Sequence, residues 1–480
     1  MLSLQSRGRR LPLGLGPAIG YHSKARRGAS ETRHRTACNV TKRHRFHGQR
    51  AGGRTMVTAY NKRDCDIFLS HAHKDRAFVS EVDRWLTDKA GFKVWYDARE
   101  LGGGALLATD LQQAIERCRG ILLMASAEAL ARGWVKAEYN SAMDERANDP
   151  AFRVVALRLA NAQVNELMKG TTWIDVPEQR LEVATALAIV RAFYPGEKLP
   201  NPATARDIFI SSSWRGEDGA SAHAVCRELH EEGFRLIGDA RDQQGFGKGN
   251  RVQRIIESCG AYVGIIPFRD SESRASAVDG PYKYFLQEAD YAAQIGLPSV
   301  IVADPRVKRE DGPDTGWLRL ETGATDCTPA VKSECRRLDD RWQPAKRPQF
   351  VFCAMDLESD AARPQGPIRH LIERITGMPT FVGSEINDVP LEAAIMNKVC
   401  QAFLVLADIS GNSVNPCVEA GMGLAAGTNV ELISQGTRRS PPFMLRPAGQ
   451  LEAYEHDLDR IGIVHKIARR YRRRILNPEL

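Results

Sequence analysis

A threefold repeat limits what this chain can fold into more than any other feature. CDIFLSHAHKD (65–75) and RDIFISSSWRGED (206–218) share an Asp-Ile-Phe-aliphatic-Ser core, and PQFVFCAMD (348–356) is a looser third version. Each is a short apolar run bounded by polar turn residues, which marks a strand buried on both faces. The same succession follows each time. In the first copy it is the helix AFVSEVDRWLTDKA, the strand GFKVWYD, a Gly-rich loop, the helix LLATDLQQAIERC and the strand GILLMAS. A further helix and the strand FRVVALRLA complete it. Strands alternating with helices at this spacing predict a doubly wound parallel sheet in each copy.

In such sheets the ligand cleft lies beyond the carboxyl ends of the strands. Ser70 and His71, directly after the first strand, therefore face a cleft, and so do Asp97, which ends GFKVWYD, and Arg99 of the following loop ARELGGGA. The stretch WVKAEYNSA puts Trp134 four residues before Glu138, on one helix face. The equivalent helices carry Tyr284 four before Glu288 and Asn415 four before Glu419. A carboxylate thus recurs 70, 79 and 67 residues after the phenylalanine of each first strand. Two readings stay open for it: a recurring functional group at the rim of the sheet, or a charge favoured there by the helix dipole. Trp134 likewise is either a core residue or a ring that stacks on a ligand. Asp408 ends a strand of the third copy, where it either binds a ligand hydroxyl or caps a loop.

Bulk properties narrow the class. A chain of 480 residues holds about three domains at ~150 residues each. No apolar run reaches the ~18 residues of a membrane span, so no membrane partner is expected. The net charge of +8 misleads, because residues 1–63 carry fifteen Lys/Arg against one acid, Glu31, and the remainder is net −6. The body is mildly acidic, which argues against nucleic acid as a partner. Residues 1–63 read as a disordered basic leader, or as a translated stretch ahead of a true start at Met56. The ten cysteines are scattered without C-x-x-C or zinc spacing, so no metal site is expected and the compartment reads as a reduced cytoplasm. The run Gly102-Gly103-Gly104 has no Gly-Lys-Ser/Thr after it, which rejects a P-loop and suggests a gating loop instead.

The first copy resembles the Toll/interleukin-1 receptor (TIR) domain in its bacterial form, over residues 64–195. DIFLSHAHKD, GFKVWYDARELGGGALLATDLQQAI, ILLMAS, LARGWVKAEY and TTWIDVP occur in the family's order. The resemblance implies a flavodoxin-like unit of five parallel strands and cleavage of NAD⁺ at the nicotinamide–ribose bond. It makes Glu138 the essential carboxylate, and the cleft residues Ser70, His71, Asp97 and Arg99, with Trp134 as a stacking ring, are then its candidate substrate-binding neighbours. NAD⁺ is substrate, so no cofactor is implied. Residues 206–304 look like a divergent TIR-like unit, with Tyr284 and Glu288 as a secondary site, and 305–347 read as a linker or insertion. Residues 348–480 resemble the nucleoside 2-deoxyribosyltransferase-like relatives, carried by LADISGNSVNPCVEAGMGLAAG and PPFMLRP. In that family's pattern Glu419 works at a sugar's anomeric carbon, while Asp408 and Asn415 hold the nucleoside. The loop AMDLESDAARPQGP lacks the family's aromatic pocket, which favours binding without turnover.

The resulting expectation is an NAD⁺-cleaving effector of antiviral immunity built from tandem flavodoxin-like units that self-associate through their TIR surfaces. The alternatives are a non-catalytic adaptor, or a sensor of a nucleotide signal through the third unit. The basic C-terminal stretch DRIGIVHKIARRYRRRIL is expected as a solvated closing helix.

Overall fold

The structure, a computed structural model, describes residues 63, 65–96, 108–131, 133–160, 162–163, 171–194, 205–213, 215–238, 251–356, 366–387, 390–411, 413–436, 440–449, 451–472 and 474–476. Asp97, Arg99 and the glycine run 102–104 lie outside these residues, as does most of the basic leader.

The first sheet contains β1 (Ile67–Ser70), β2 (Val94–Tyr96), β3 (Gly120–Ala125), β4 (Arg153–Leu159) and β5 (Thr172–Val176). All pairings are parallel and the spatial order is β2-β1-β3-β4-β5. This is the flavodoxin-like order, in which the chain reverses direction beside β1. Every residue of β1 and β3 is buried, as expected for strands covered on both faces. Its helices are α1 (Arg76–Arg84), α2 (Ala108–Glu116), α3 (Ala127–Ala131), α4 (Gly133–Asn148) and α5 (Val183–Phe193). One π-helical turn, Trp85–Lys89, extends α1.

The second sheet has β6 (Asp207–Ser211), β7 (Arg235–Gly238), β8 (Ala261–Ile266), β10 (Ser299–Ala303) and β12 (Leu318–Arg319). A two-stranded ribbon, β9 (Arg274–Ala275) with β11 (Lys308–Arg309), stands beside it. Its helices are α6 (Gly219–Glu231), α7 (Arg251–Glu257), α8 (Lys283–Gln294) and α9 (Pro329–Arg341). Here the structure departs from the expected linker at 305–347. That stretch supplies β12 to the sheet, and Val331, Cys335 and Leu338 of α9 are buried in one cluster with β6 and α6 side chains. The helix announces itself locally, since the Thr328 hydroxyl accepts from the Val331 amide and Pro329 follows at the first position. The polar composition of 304–347 hid the i, i+4, i+7 spacing of those three apolar residues.

The third sheet, β13 (Val351–Ala354), β14 (Thr380–Phe381), β15 (Leu404–Asp408), β16 (Asn429–Gln435) and β17 (Leu451–Tyr454), repeats the first sheet's order as β14-β13-β15-β16-β17. It carries α10 (Pro367–Thr376), α11 (Leu391–Gln401) and α12 (Asn415–Ala425).

The C-terminal segment corrects the last expectation. Helix α13 (Asp457–Arg470) is not a solvated cover but a buried strut, with Ile461, Ile463, Val464, Ile467 and Ala468 all inside. A single buried cluster joins these residues to apolar side chains of all three sheets. Gly462 permits the approach, because a Cβ there would stand 2.8 Å from Lys89 Cβ. His465 Nδ1 lies 2.6 Å from the Ala90 carbonyl oxygen and its ring stacks 4.3 Å from Phe92. Arg469 reaches the buried Asp66 of the first unit at 2.7 Å, and the Tyr471 hydroxyl donates to Glu431 of the third at 2.7 Å. Beyond the helix, β18 (Arg474–Leu476) pairs antiparallel with β7 and completes the second sheet's edge. Hydropathy alone could not show this, because the arginines in the stripe are buried only by virtue of partners distant in sequence.

Candidate functional site

The first unit brings two of the expected residues together. Ser70 is the last residue of β1, opposite Leu123 of β3, and is 2% exposed. Val135, Glu138, Tyr139 and Ala142 form the buried stripe of α4 at helical spacing. Glu138 is therefore turned inward, only 4% exposed, and the Ser70 hydroxyl donates a hydrogen bond to its carboxylate. A buried carboxylate without such partners would be strongly penalised. His71 follows, half-buried, with its ring 5.2 Å from that of Tyr96. Trp134 lies in α4 one turn before Glu138, but its side chain falls outside the described residues, as do Asp97 and Arg99.

The sequence reading missed a neighbouring pair. Asp75, buried in the 3₁₀ turn after β1, accepts a hydrogen bond from Ser126 Oγ at 2.7 Å. Ser126 Oγ also accepts from the Ala129 amide at 3.1 Å, so one hydroxyl ties the end of β3 to α3 and to the β1 turn. The Tyr139 hydroxyl meets Thr171 Oγ1 at 3.0 Å on the other side of Glu138. The signal for Asp75 was present: the Asp218 that ends WRGED takes the same place in the second unit, again in a 3₁₀ turn after the first strand.

The second unit keeps the carboxylate and changes its setting. Ser211 corresponds to Ser70, but its partner is the hydroxyl of Tyr262, a fully buried residue of β8. Burial first, and next the Glu288 charge, hold the Tyr262 phenol well above its usual range. The tyrosine ring stacks 5.9 Å from that of Phe209, its partner on β6. Glu288 is half-buried on α8, while Tyr284 is 74% exposed and does not turn toward the sheet. Asp218 is held by Arg269 at 2.6 Å, an arginine of the polar insertion before α8.

In the third unit Asp408 is already committed. It accepts from the Tyr454 hydroxyl at 2.8 Å and from Ser410, and it pairs with Arg460 at 2.6 Å. Asn415 is exposed at the start of α12. Glu419 has a different character: it is half-buried, and makes no hydrogen bond or ion pair among the described residues. Its carboxyl faces Gly383, where a Cβ would lie 3.3 Å from Oε1. Burial pushes this carboxyl up to about 7. The three expected residues of this unit thus have different surroundings: Asp408 is hydrogen-bonded and ion-paired, Asn415 is exposed, and Glu419 is half-buried.

No helix among the described residues is long and apolar enough to cross a membrane. Compared with known proteins, residues 67–188 match the family described as the TIR domain. Among solved structures, the chain is similar to the TIR domain of the Toll-related receptor TRR-2 from the lower metazoan Hydra magnipapillata. That likeness is 16% identical, covers 24% of this chain and 86% of that one, and has a TM-score of 0.21. No curated protein sequence matches the chain.

Proposed function

We propose that the TIR domain at residues 67–188 hydrolyses NAD⁺ at the nicotinamide–ribose bond, with Glu138 as its catalytic carboxylate. The observation that carries this reading is the inward-turned Glu138, fixed by the Ser70 hydroxyl at the carboxyl end of β1. Nicotinamide leaves NAD⁺ as a neutral molecule, because the electrons of the broken C1′–N bond quench the charge of the pyridinium ring. No general acid is needed, and the two-carboxylate arrangement of ordinary glycoside cleavage shrinks to one. Glu138 stabilises the positive charge that grows on the ribose and accepts hydrogen bonds from its hydroxyls. Ser70 holds one carboxylate oxygen in place, so that little reorganisation accompanies the reaction. Water adds to C1′ and gives up its proton to complete ADP-ribose.

The test is nicotinamide release from NAD⁺ by the full chain over a range of protein concentrations, beside Glu138→Ala and Glu419→Ala. Release that disappears only in Glu138→Ala supports the reading, and a rate that rises steeply with concentration adds self-association through TIR surfaces. Release that survives Glu138→Ala overturns it.

A second reading rests on Glu419. A half-buried carboxyl with no partner among the described residues, raised to about 7, is poised to take hydrogen bonds from a ligand's hydroxyls. On that reading the third unit senses a nucleotide and the chain acts as an adaptor or a ligand-triggered effector in immune signalling.

A further inference from the structure

A second cleft lies at the opposite end of the first sheet from Ser70 and Glu138. It has a volume of about 440 Å³ and opens at the first residues of β4 and β5. Four arginines line it: Arg146 from α4, Arg153 from β4, Arg191 from α5 and Arg374 from α10 of the third unit. No Asp or Glu is among its described lining residues. Other arginines of the first unit are paired with acids, as Arg63 is with Glu145 at 2.6 Å, Arg119 with Asp66 at 3.6 Å and Arg158 with Asp175 at 2.5 Å. Arg146 and Arg191 have no hydrogen bond or ion pair among the described residues, and Arg374 donates only to the Tyr194 carbonyl oxygen. Burial, then the charge of Arg191, hold the Arg374 guanidinium below its usual value.

We infer that this cleft, at the seam between the first and third units, is a binding site for a nucleoside polyphosphate. The planar guanidinium fork suits phosphate oxygens two at a time, and several converging forks select for a multiply charged phosphate chain. The half-buried indole of Trp173 lies in the same wall and supplies aromatic surface beside the arginines. The volume falls in the ~300–1,000 Å³ range of small-molecule sites. Because Arg374 comes from the third unit and the other three from the first, one ligand supplies counter-charge to both and fastens them together. This site is separate from the proposed NAD⁺ site and does not depend on it.

The experiment uses the full chain with ATP, inorganic tripolyphosphate and adenosine as probes. Binding is read by calorimetry at low and moderate salt and by the ligand-induced shift in melting temperature. ATP is expected to bind and raise the melting temperature, tripolyphosphate to bind more weakly, and adenosine not to bind. Added salt weakens both phosphates. Arg191→Gln and Arg146→Gln, which remove side chains with no described partner, leave the unliganded melting temperature unchanged and each weaken ATP roughly tenfold. The proposal falls if ATP does not bind, or binds the Arg146→Gln/Arg191→Gln double variant as tightly as the parent. Tripolyphosphate binding as tight as ATP overturns the nucleoside part. ATP binding lost in Glu419→Gln and kept in Arg191→Gln overturns the location.

Discussion

The first two units hold the same strand, the same terminal serine and a glutamate on the equivalent helix, yet they use the serine differently. In the first, Ser70 supports Glu138. In the second, Ser211 is engaged by the hydroxyl of Tyr262. In the first sheet the position equivalent to Tyr262 is Ile121, a side chain with no polar tip, as the register of β1 with β3 and of β6 with β8 shows. The central strand thus offers an isoleucine at this place in the first unit and, in the second, a tyrosine that bonds the strand-end serine. The lesson is that repetition of a carboxylate in sequence does not imply repetition of a site.

This contrast can be broken or sharpened in four ways. The largest effect belongs to Tyr262→Ala, which empties the packed space in the second unit and lowers stability by about 3–5 kcal/mol, measured by chemical denaturation. Failure to destabilise would mean that Tyr262 is not a structural plug. Next, Glu138→Gln lowers nicotinamide release at least roughly a hundredfold, about 2.7 kcal/mol of transition-state stabilisation, while Glu288→Gln leaves it unchanged. A loss in Glu288→Gln would erase the distinction between the two units.

The two units are also anchored differently, the first through α13 and the second through α13 and β18 together, and acid acts on the tie between α13 and the first. His465 is held neutral against the Ala90 carbonyl, and burial, then the Arg469 charge, push it down to about 3. The unfolded chain takes up this proton near pH ~6.5 and the folded chain does not. Stability is therefore lost as pH falls from ~6.5 toward 3, by up to about 1.4 kcal/mol per pH unit. Denaturation midpoints between pH 7.5 and 5 read the slope, which His465→Gln should flatten. The smallest effect is that of Ser70→Ala, a loss of about tenfold in nicotinamide release with the melting temperature little changed. Full activity in Ser70→Ala would detach the serine from the mechanism.

Much of this was legible in sequence. The apolar strands and their parallel pairing follow from their spacing and from the triple recurrence of one plan, whereas the recurrence of Glu138 leaves open whether it turns inward. What escaped depended on partners that are distant along the chain. Asp408 read as a ligand group because nothing nearby in sequence shows Tyr454 or Arg460 closing on it. Tyr262 read as an ordinary strand residue, since which cavity a buried ring fills is decided by the neighbouring strand's register. The arginines of α13 read as solvent-facing because their acids, Asp66, Glu431 and Glu452, belong to other sheets.

The strut formed by residues 457–476 also sets an order of events. These residues are made after all three sheets, so a growing chain carries the open edge of β7 and the bare apolar groove beside Trp85 until they emerge. Exposed strand edges invite pairing with other chains. A ribosome stalled shortly before residue 457 would thus release an adhesive, unfinished molecule.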